Sequence, residues 1–264
     1  SPLALGNPHA RTGENLPIPF PGIKTLVLDR EEHRLLRAAA GAAGGMLNDL
    51  LIAEMFRAIE LWNAARGGKP RQRIRIMMPT DLREKEEILM PAANMTSYSF
   101  LTRDGYACQD PVQLLKSVRD ETAKIKREKG GKHFIDAVML ASNVPGLLPF
   151  LLRRRRCLAT LILSNVGDPT RRFLARFPRD AGRIVAGNLT LEAISGVPPL
   201  RSLSRATVSI VTYGRELAVN LRCDAAALSD ADSEQLLDIY GQLLRGHVAA
   251  QLQQNQPTPT GRLA

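Results

Sequence analysis

The chain is 264 residues long, and its 36 Lys and Arg against 26 Asp and Glu leave a formal charge of +10. With 44% hydrophobic residues it has the means to bury a core, which excludes disorder as its default state and fits one large domain or two small ones. Its three cysteines, Cys108, Cys157 and Cys223, lie far apart with no C-x-x-C pair, so neither a disulfide framework nor a structural zinc site is expected, and a reducing, cytoplasmic setting fits best.

Residues 1–22 read as a linker, because Pro2, Pro8, Pro17, Pro19 and Pro21 block regular structure. No signal peptide is read at Ser1-Pro2-Leu3, and no apolar run approaches the roughly 20 residues of a membrane helix. Folding is expected to begin with a strand over Ile23–Leu28. Asp29 with Glu32 then forms a capping-box start to a short helix that turns Leu35 and Leu36 inward and stops at Gly41, Gly44 and Gly45. A longer helix is predicted from Asn48 to about Arg66, with Leu51, Met55, Ile59 and Trp62 at helical spacing and Gly67-Gly68 as terminator.

Arg73–Met78 alternates as a half-buried strand closed by Pro79, and a second strand is expected over Asn94–Leu101. Asp110-Pro111 opens a helix to about Glu128, and His133–Ser142 reads as helical again. The apolar stretch Val144–Leu152 runs into Arg153, Arg154, Arg155 and Arg156. Strands are expected over Leu158–Leu163 and Ile184–Leu191. A hairpin pairs Ala206–Tyr213 with Glu216–Arg222 across Gly214-Arg215. A closing helix over Ser233–Gln251 buries Leu236, Leu237, Tyr240 and Leu244, and residues 253–264 form a mobile tail. Helices interspersed with strands and one hairpin give an α/β two-layer sandwich with a mixed β-sheet and packed helices, over residues 23–252.

Chemistry-bearing strings are few. The chain has no G-x-S-x-G elbow, no phosphate loop and no dinucleotide fingerprint. His9 lies in the linker, and His33 and His247 are expected on exposed helix faces. His133, at a helix start, belongs to no catalytic string. No metal site is read. The positive charge comes from scattered arginines without a nucleic-acid motif, so a phosphate-bearing small molecule or an acidic carrier protein is preferred to nucleic acid as the anionic partner.

Five strings, in order, form a more specific pattern. Asn48-Asp49 sits in Met46-Leu47-Asn48-Asp49-Leu50-Leu51, where either residue also serves as a plain helix cap. Arg75-Ile76-Met77-Met78-Pro79-Thr80-Asp81-Leu82-Arg83 is followed by Ala93-Asn94-Met95-Thr96-Ser97. Leu163-Ser164-Asn165-Val166-Gly167-Asp168-Pro169 precedes the hairpin over 208–222 and the terminal helix. Together they resemble the ND, P-x-D-L-R and S-N-V-P-G strings of acyltransferases built on the chloramphenicol acetyltransferase fold, such as peptide-synthetase condensation domains and wax ester synthase/diacylglycerol acyltransferases. Gly167 stands where proline is more usual.

The resemblance covers roughly residues 20 to 250 and is to the C-terminal lobe. In that superfamily the catalytic histidine belongs to an H-H-x-x-x-D-G string in the N-terminal lobe, and this chain has no adjacent histidines. The resemblance therefore implies no catalytic residue in this chain, no bound cofactor, and an acyl-CoA or phosphopantetheine thioester as donor to an alcohol or amine. It implies an N-terminal catalytic lobe as partner and allows an acyl carrier protein.

Ser164 and Asn165 are expected to offer a hydroxyl and an amide to the donor, with Asn48, Asp49 and Asn94 as further donor- or substrate-binding candidates, although local turn bonding accounts for each equally well. Asp81 and Arg83 are expected to hold their turn as an ion pair. Arg153–Arg156, beside an apolar segment, form either a solvated helix end or a peripheral contact with a membrane or another anion. The competing class is a non-catalytic half-fold that binds a partner or self-associates into a homo-oligomer.

Overall fold

The computed structural model describes residues 3–4, 22–83, 95–128, 131–153, 158–170, 176–200 and 204–254, with the backbone alone described at 151–153. Strand β1 (Lys24–Leu28) leads into helix α1 (Arg30–Ala42) through the expected capping box. The amides of Glu31 and Glu32 both donate to Asp29 Oδ1 at 2.8 Å, and Asp29 N–H donates to Glu32 Oε2 at 3.0 Å. Two orphan donors at the helix start and the carboxylates' preference for that end are answered together. Gly41 lies inside α1 rather than ending it; the break falls at Gly44, whose φ of 70° is open to glycine without strain.

Helix α2 (Leu47–Ala64) is apolar on almost every side, and only a helix covered all round tolerates that. It lies between the sheet and helices α1, α3 (Pro111–Arg127) and α6 (Asp230–Gln254). Its Leu51, Ile59 and Trp62 are fully buried. Arg66 stacks on the Trp62 ring and pairs with Asp232 at 3.2 Å.

The main sheet has the order β1-β9-β8-β4-β2-β3, formed with β2 (Arg73–Asp81), β3 (Thr96–Asp104), β4 (Leu161–Gly167), β8 (Ala206–Tyr213) and β9 (Glu216–Cys223). The β2–β4 and β4–β8 pairs are parallel and the rest antiparallel, so the sheet is mixed as expected. One face packs under the helices through Ile76, Leu163, Val208 and Val219. On the other face, at the β3 edge, Tyr98 and Phe100 meet Phe134 of helix α4 (Gly131–Ser142).

The β8–β9 hairpin turns at Gly214 (φ 57°) and Arg215 (φ 73°), the pair of positive φ values that matches the twist of the flanking strands. Three further strands, β5 (Arg179–Asp180), β6 (Arg183–Ala186) and β7 (Leu189–Thr190), make a small separate sheet. No single helix among the described residues is long and apolar enough to cross a membrane.

Several sequence expectations change. Leu3 is fully buried although it falls in the stretch read as a linker; Trp62 Nε1 donates to Ala4 O at 3.1 Å and Ala4 N–H donates to Asn63 Oδ1 at 2.8 Å. Pro79 does not close β2, which runs on to Asp81: pairing with β4 is confined to Ile76 and Met77, so at Pro79 the strand has β3 as its ladder partner and an edge tolerates the absent N–H.

The strand expected over Ile184–Leu191 is broken at Gly187 (φ 63°) into β6 and β7. The strand expected to start at Leu158 starts at Leu161, and Leu158 is exposed. His33 is buried, with Nδ1 2.8 Å from Arg215 O, and His247 reaches the buried Glu54 carboxylate at 2.8 Å. Against the exposed faces expected from the sequence, His33 is thus buried and His247 half-buried.

Two outcomes test this packing. Tyr240, fully buried, donates to the Leu51 carbonyl at 3.0 Å, so Tyr240→Phe is expected to cost about 1 kcal/mol in urea unfolding, the net worth of one such bond. Burial pushes both the Cys108 and the Cys223 thiols up to about 12, with the Glu60 and Asp104 carboxylates adding to the rise at Cys108. A Cys157→Ser variant is therefore expected to release almost no colour from an aromatic disulfide reagent at pH 8 when folded, and two equivalents in denaturant.

Candidate functional site

The site begins at an irregularity. Along β4 and β8 the ladder advances evenly from Ile162↔Thr207 to Asn165↔Ile210, then shifts so that Gly167 faces Val211. The extra residue is Val166, which is left exposed, and Gly167 takes a φ of 65°. Such a bulge re-aims the side chains beside it. Just before it, on the helix-covered face with Leu163, Asn165 meets the first turn of α2, where Asn165 Nδ2 donates to Asn48 Oδ1 at 2.9 Å. The Gly167 amide donates to Asn165 Oδ1 at 3.0 Å, which fixes which end of the carboxamide is oxygen.

Asn48 and Asn165 line a cleft of about 390 Å³ with Met46, Gly167, Thr212 and the exposed Arg37 of α1. Asp49 is adjacent in sequence and absent from the cleft. It is buried, accepts from the Met46 amide at 2.9 Å and takes the Thr122 hydroxyl of α3 at 2.7 Å. Its role is to close the start of α2, where Met46 is the cap residue, and to bind that end to α3. Either Asn48 or Asp49 had been a candidate cap; the cap bond is Asp49's, reaching back to the Met46 amide.

Ser164 points the other way. Because successive strand residues alternate faces, it shares the helix-free face with Ile162, while Leu163 faces the helices. Register places it in a row of polar residues: Ser164 opposite Ser209, Ser209 opposite Asn220, and Asn220 opposite Thr25. Asn220 is fully buried and organises this row, accepting from Ser195 Oγ at 2.8 Å, bonding Thr25 Oγ1 at 3.0 Å and donating to Ser209 Oγ at 3.2 Å. Ser209 in turn donates to the Gly196 carbonyl, so the coil over 191–200 is held onto the sheet. The Ser164 hydroxyl, half-buried at the end of the row, makes no hydrogen bond with any described residue.

The remaining candidates lie elsewhere. Asp81 accepts from the Arg83 amide at 3.0 Å and its guanidinium at 3.4 Å, the expected ion-paired turn, away from the cleft. Asn94, Arg154, Arg155 and Arg156 lie outside the described residues, and Arg153 ends helix α5 (Leu147–Arg153) with its side chain undescribed. Among the described residues no cluster of His, Cys, Asp and Glu is arranged to hold a metal ion. Arg37, Thr122, Ser209 and Asn220 were not singled out from the sequence. Asn220 carried a signal: an asparagine amid the apolar residues of Leu217–Leu221 is unfavourable in a strand unless its amide is answered.

No protein-family description matches the chain, and no curated protein matches it either. Solved structures do. The epimerization domain from the third module of tyrocidine synthetase B is 15% identical with a TM-score of 0.58, covering 88% of this chain and 49% of that one. A structure of condensation domain-mediated chain release from the enacyloxin polyketide synthase is 18% identical (TM-score 0.53; 89% and 42% covered). Polyketide synthase associated protein 5 from Mycobacterium tuberculosis is 14% identical (TM-score 0.53; 86% and 52% covered). The chain thus has the fold of half a condensation or epimerization domain, spanning about half the length of the solved chains it matches.

If Asp49 ties α2 to α3 and Asn165 only staples β4 to α2, their loss should differ in cost. Asp49→Ala strips the Met46 amide of its acceptor and leaves the buried Thr122 hydroxyl only the Arg119 carbonyl at 3.0 Å, and is expected to lower stability by about 1–3 kcal/mol, whereas Asn165→Ala, at a solvent-exposed bond, should cost about 1 kcal/mol or less. Chemical unfolding of the two variants measures both.

Proposed function

We propose that this chain is the C-terminal lobe of an acyltransferase that moves an acyl group from a CoA or carrier-protein thioester to an alcohol or amine, working with a lobe that carries the H-H-x-x-x-D-G string. One observation carries most of the reading. Asn48 and Asn165, 117 positions apart and drawn from two of the strings that suggested the family, meet at 2.9 Å and line one cleft. Strings of residues that match by chance have no reason to converge in space. The half-domain fold is consistent with the same reading.

In the proposed reaction the acceptor's oxygen or nitrogen attacks the thioester carbonyl, the carbon–sulfur bond breaks, and the acceptor's proton passes by way of the other lobe's histidine to the departing thiolate. This chain contributes no base. Its contribution is a wall, with the Ser164 hydroxyl free to bond the donor along the helix-free sheet face and the Asn165–Asn48 contact holding the end of β4 in position. Asn165 is thus a positioning residue and Ser164 the contact.

A second reading has its own support. Helix α4, the turn after it and helix α5 expose Met139, Leu140, Val144 and Phe150, apolar side chains that suit a non-catalytic binding or oligomerisation module.

The two readings part in one assay. Free thiol is followed with acyl-CoA or acyl-carrier donors and an alcohol or amine, using the chain alone and the chain combined with the histidine-bearing lobe. The chain alone is expected to release none, the combination to turn over, and Ser164→Ala to raise the donor KM about three- to tenfold, the worth of one net hydrogen bond. Turnover by the chain alone, or none by the combination with any donor, would overturn the acyltransferase reading.

A further inference from the structure

We infer that Thr207 and Arg222 hold a small anion of halide size between strands β8 and β9, on the helix-free face of the sheet. The site is independent of the acyl-transfer reading, since no acyl ligand reaches a hydroxyl as fully buried as that of Thr207.

Among the described residues three buried side-chain polar atoms have no hydrogen-bond partner: His33 Nε2, Thr207 Oγ1 and Arg222 Nε. Folded interiors leave few such atoms, and a bound ion or water is a common answer to them. The histidine nitrogen stands alone on α1. The other two belong to residues directly opposite each other in the β8–β9 ladder, Thr207↔Arg222. Because Ala206, Val208, Val219 and Leu221 pack under the helices, strand alternation sends Thr207 and Arg222 to the opposite face together. Opposed residues keep their Cβ atoms about 4.5–5.5 Å apart, near enough for one shared partner to serve both side chains.

The surroundings call for negative charge. Arg222 forms no ion pair or hydrogen bond with any described residue. It is half-buried, so its tip meets water while Nε is sealed. The residues around the pair on this face are uncharged, with Ile162 opposite Thr207 and Ser209 and Asn220 in the next row. Asp224, two positions along β9, spends its carboxylate on the Ala226 amide at 3.1 Å, and Arg205, two positions before Thr207, donates to the Leu3 carbonyl. A sealed cationic N–H beside a free hydroxyl, with no carboxylate paired to it, is stabilised by an anion that accepts from both.

A water in the same position would accept from both groups and then need acceptors for its own two protons. Asn220 Oδ1 already receives Ser195 and Thr25, Ser209 Oγ receives Asn220, and Ile162 offers none. An anion has no protons to place. The full burial of Thr207 favours a single atom over a tetrahedral oxyanion.

Thermal unfolding of the full chain in sodium chloride, bromide and gluconate at equal ionic strength tests this, gluconate being too large to enter. Chloride and bromide are expected to raise the midpoint about 2–4 °C above gluconate. Thr207→Val leaves the net charge unchanged. In gluconate its midpoint should equal or exceed that of the wild type, because an unanswered buried hydroxyl is gone, and the halide gain should vanish. Arg222→Met keeps the apolar stem and should lose the gain as well.

A halide gain that disappears in both variants would establish the site. Equal midpoints in the three salts, or a gain that survives in either variant, would overturn it. A Thr207→Val variant less stable than the wild type by the same amount in every salt would assign the position to a bridging water, and the anion would be wrong.

Discussion

Everything in this fold is arranged around the burial of α2. A helix whose buried residues include Leu50, Leu51, Ile52, Met55, Phe56, Ile59 and Trp62 has no solvated face to spare, and the sheet, α1, α3 and α6 are the cover it requires. Such a helix also carries buried polar groups, and each is answered by a different part of the chain. Asp49 takes Thr122 of α3, Glu54 takes His247 of α6 together with Arg57, and Asn63 takes the Ala4 amide. An apolar helix alone would slide or rotate at little cost. One with polar groups that are satisfied in a single arrangement has one register.

That register sets the candidate site. With the start of α2 held to α3 by Asp49, Asn48 faces the end of β4, where Asn165 meets it just before the bulge at Val166. The sheet separates two environments only a residue apart along β4. Asn165 belongs to the side of the helices and the Arg37 cleft, and Ser164 belongs to the polar row that runs through Ser209 and Asn220 under the coil over 191–200. A strand's alternation makes that separation unavoidable, and it divides positioning from contact between neighbouring residues.

Local chemistry was legible from the sequence wherever a feature and its partner lie close together. The Asp29–Glu32 box, the Asp110-Pro111 start of α3, the Gly214-Arg215 turn and the apolar spacing of α2 all depend on residues within one or two turns of each other. The mixed sheet followed from the same pattern. Partners from remote segments were not legible: His33 is buried where the hairpin turn 182 positions away offers it a carbonyl, and His247 is half-buried where Glu54 waits 193 positions away. In the candidate site the strings themselves were visible and Ser164 and Asn165 alternate as any strand does, but which face of β4 the helices cover depends on remote segments, and Arg37 is one arginine among many until the cleft around it exists.

The pairing of β1 with β9 sets a condition on how the chain reaches this state. Lys24 lies opposite Leu221 and Leu28 opposite Leu217, so β1 finds its neighbour far along the sequence, Thr25 meeting Asn220 195 positions later. Helix α1, directly after β1, likewise packs on α6, the last helix. The apolar faces of β1 and α1 therefore stay uncovered until the β8–β9 hairpin and α6 have been made, the kind of distant closure that slows folding.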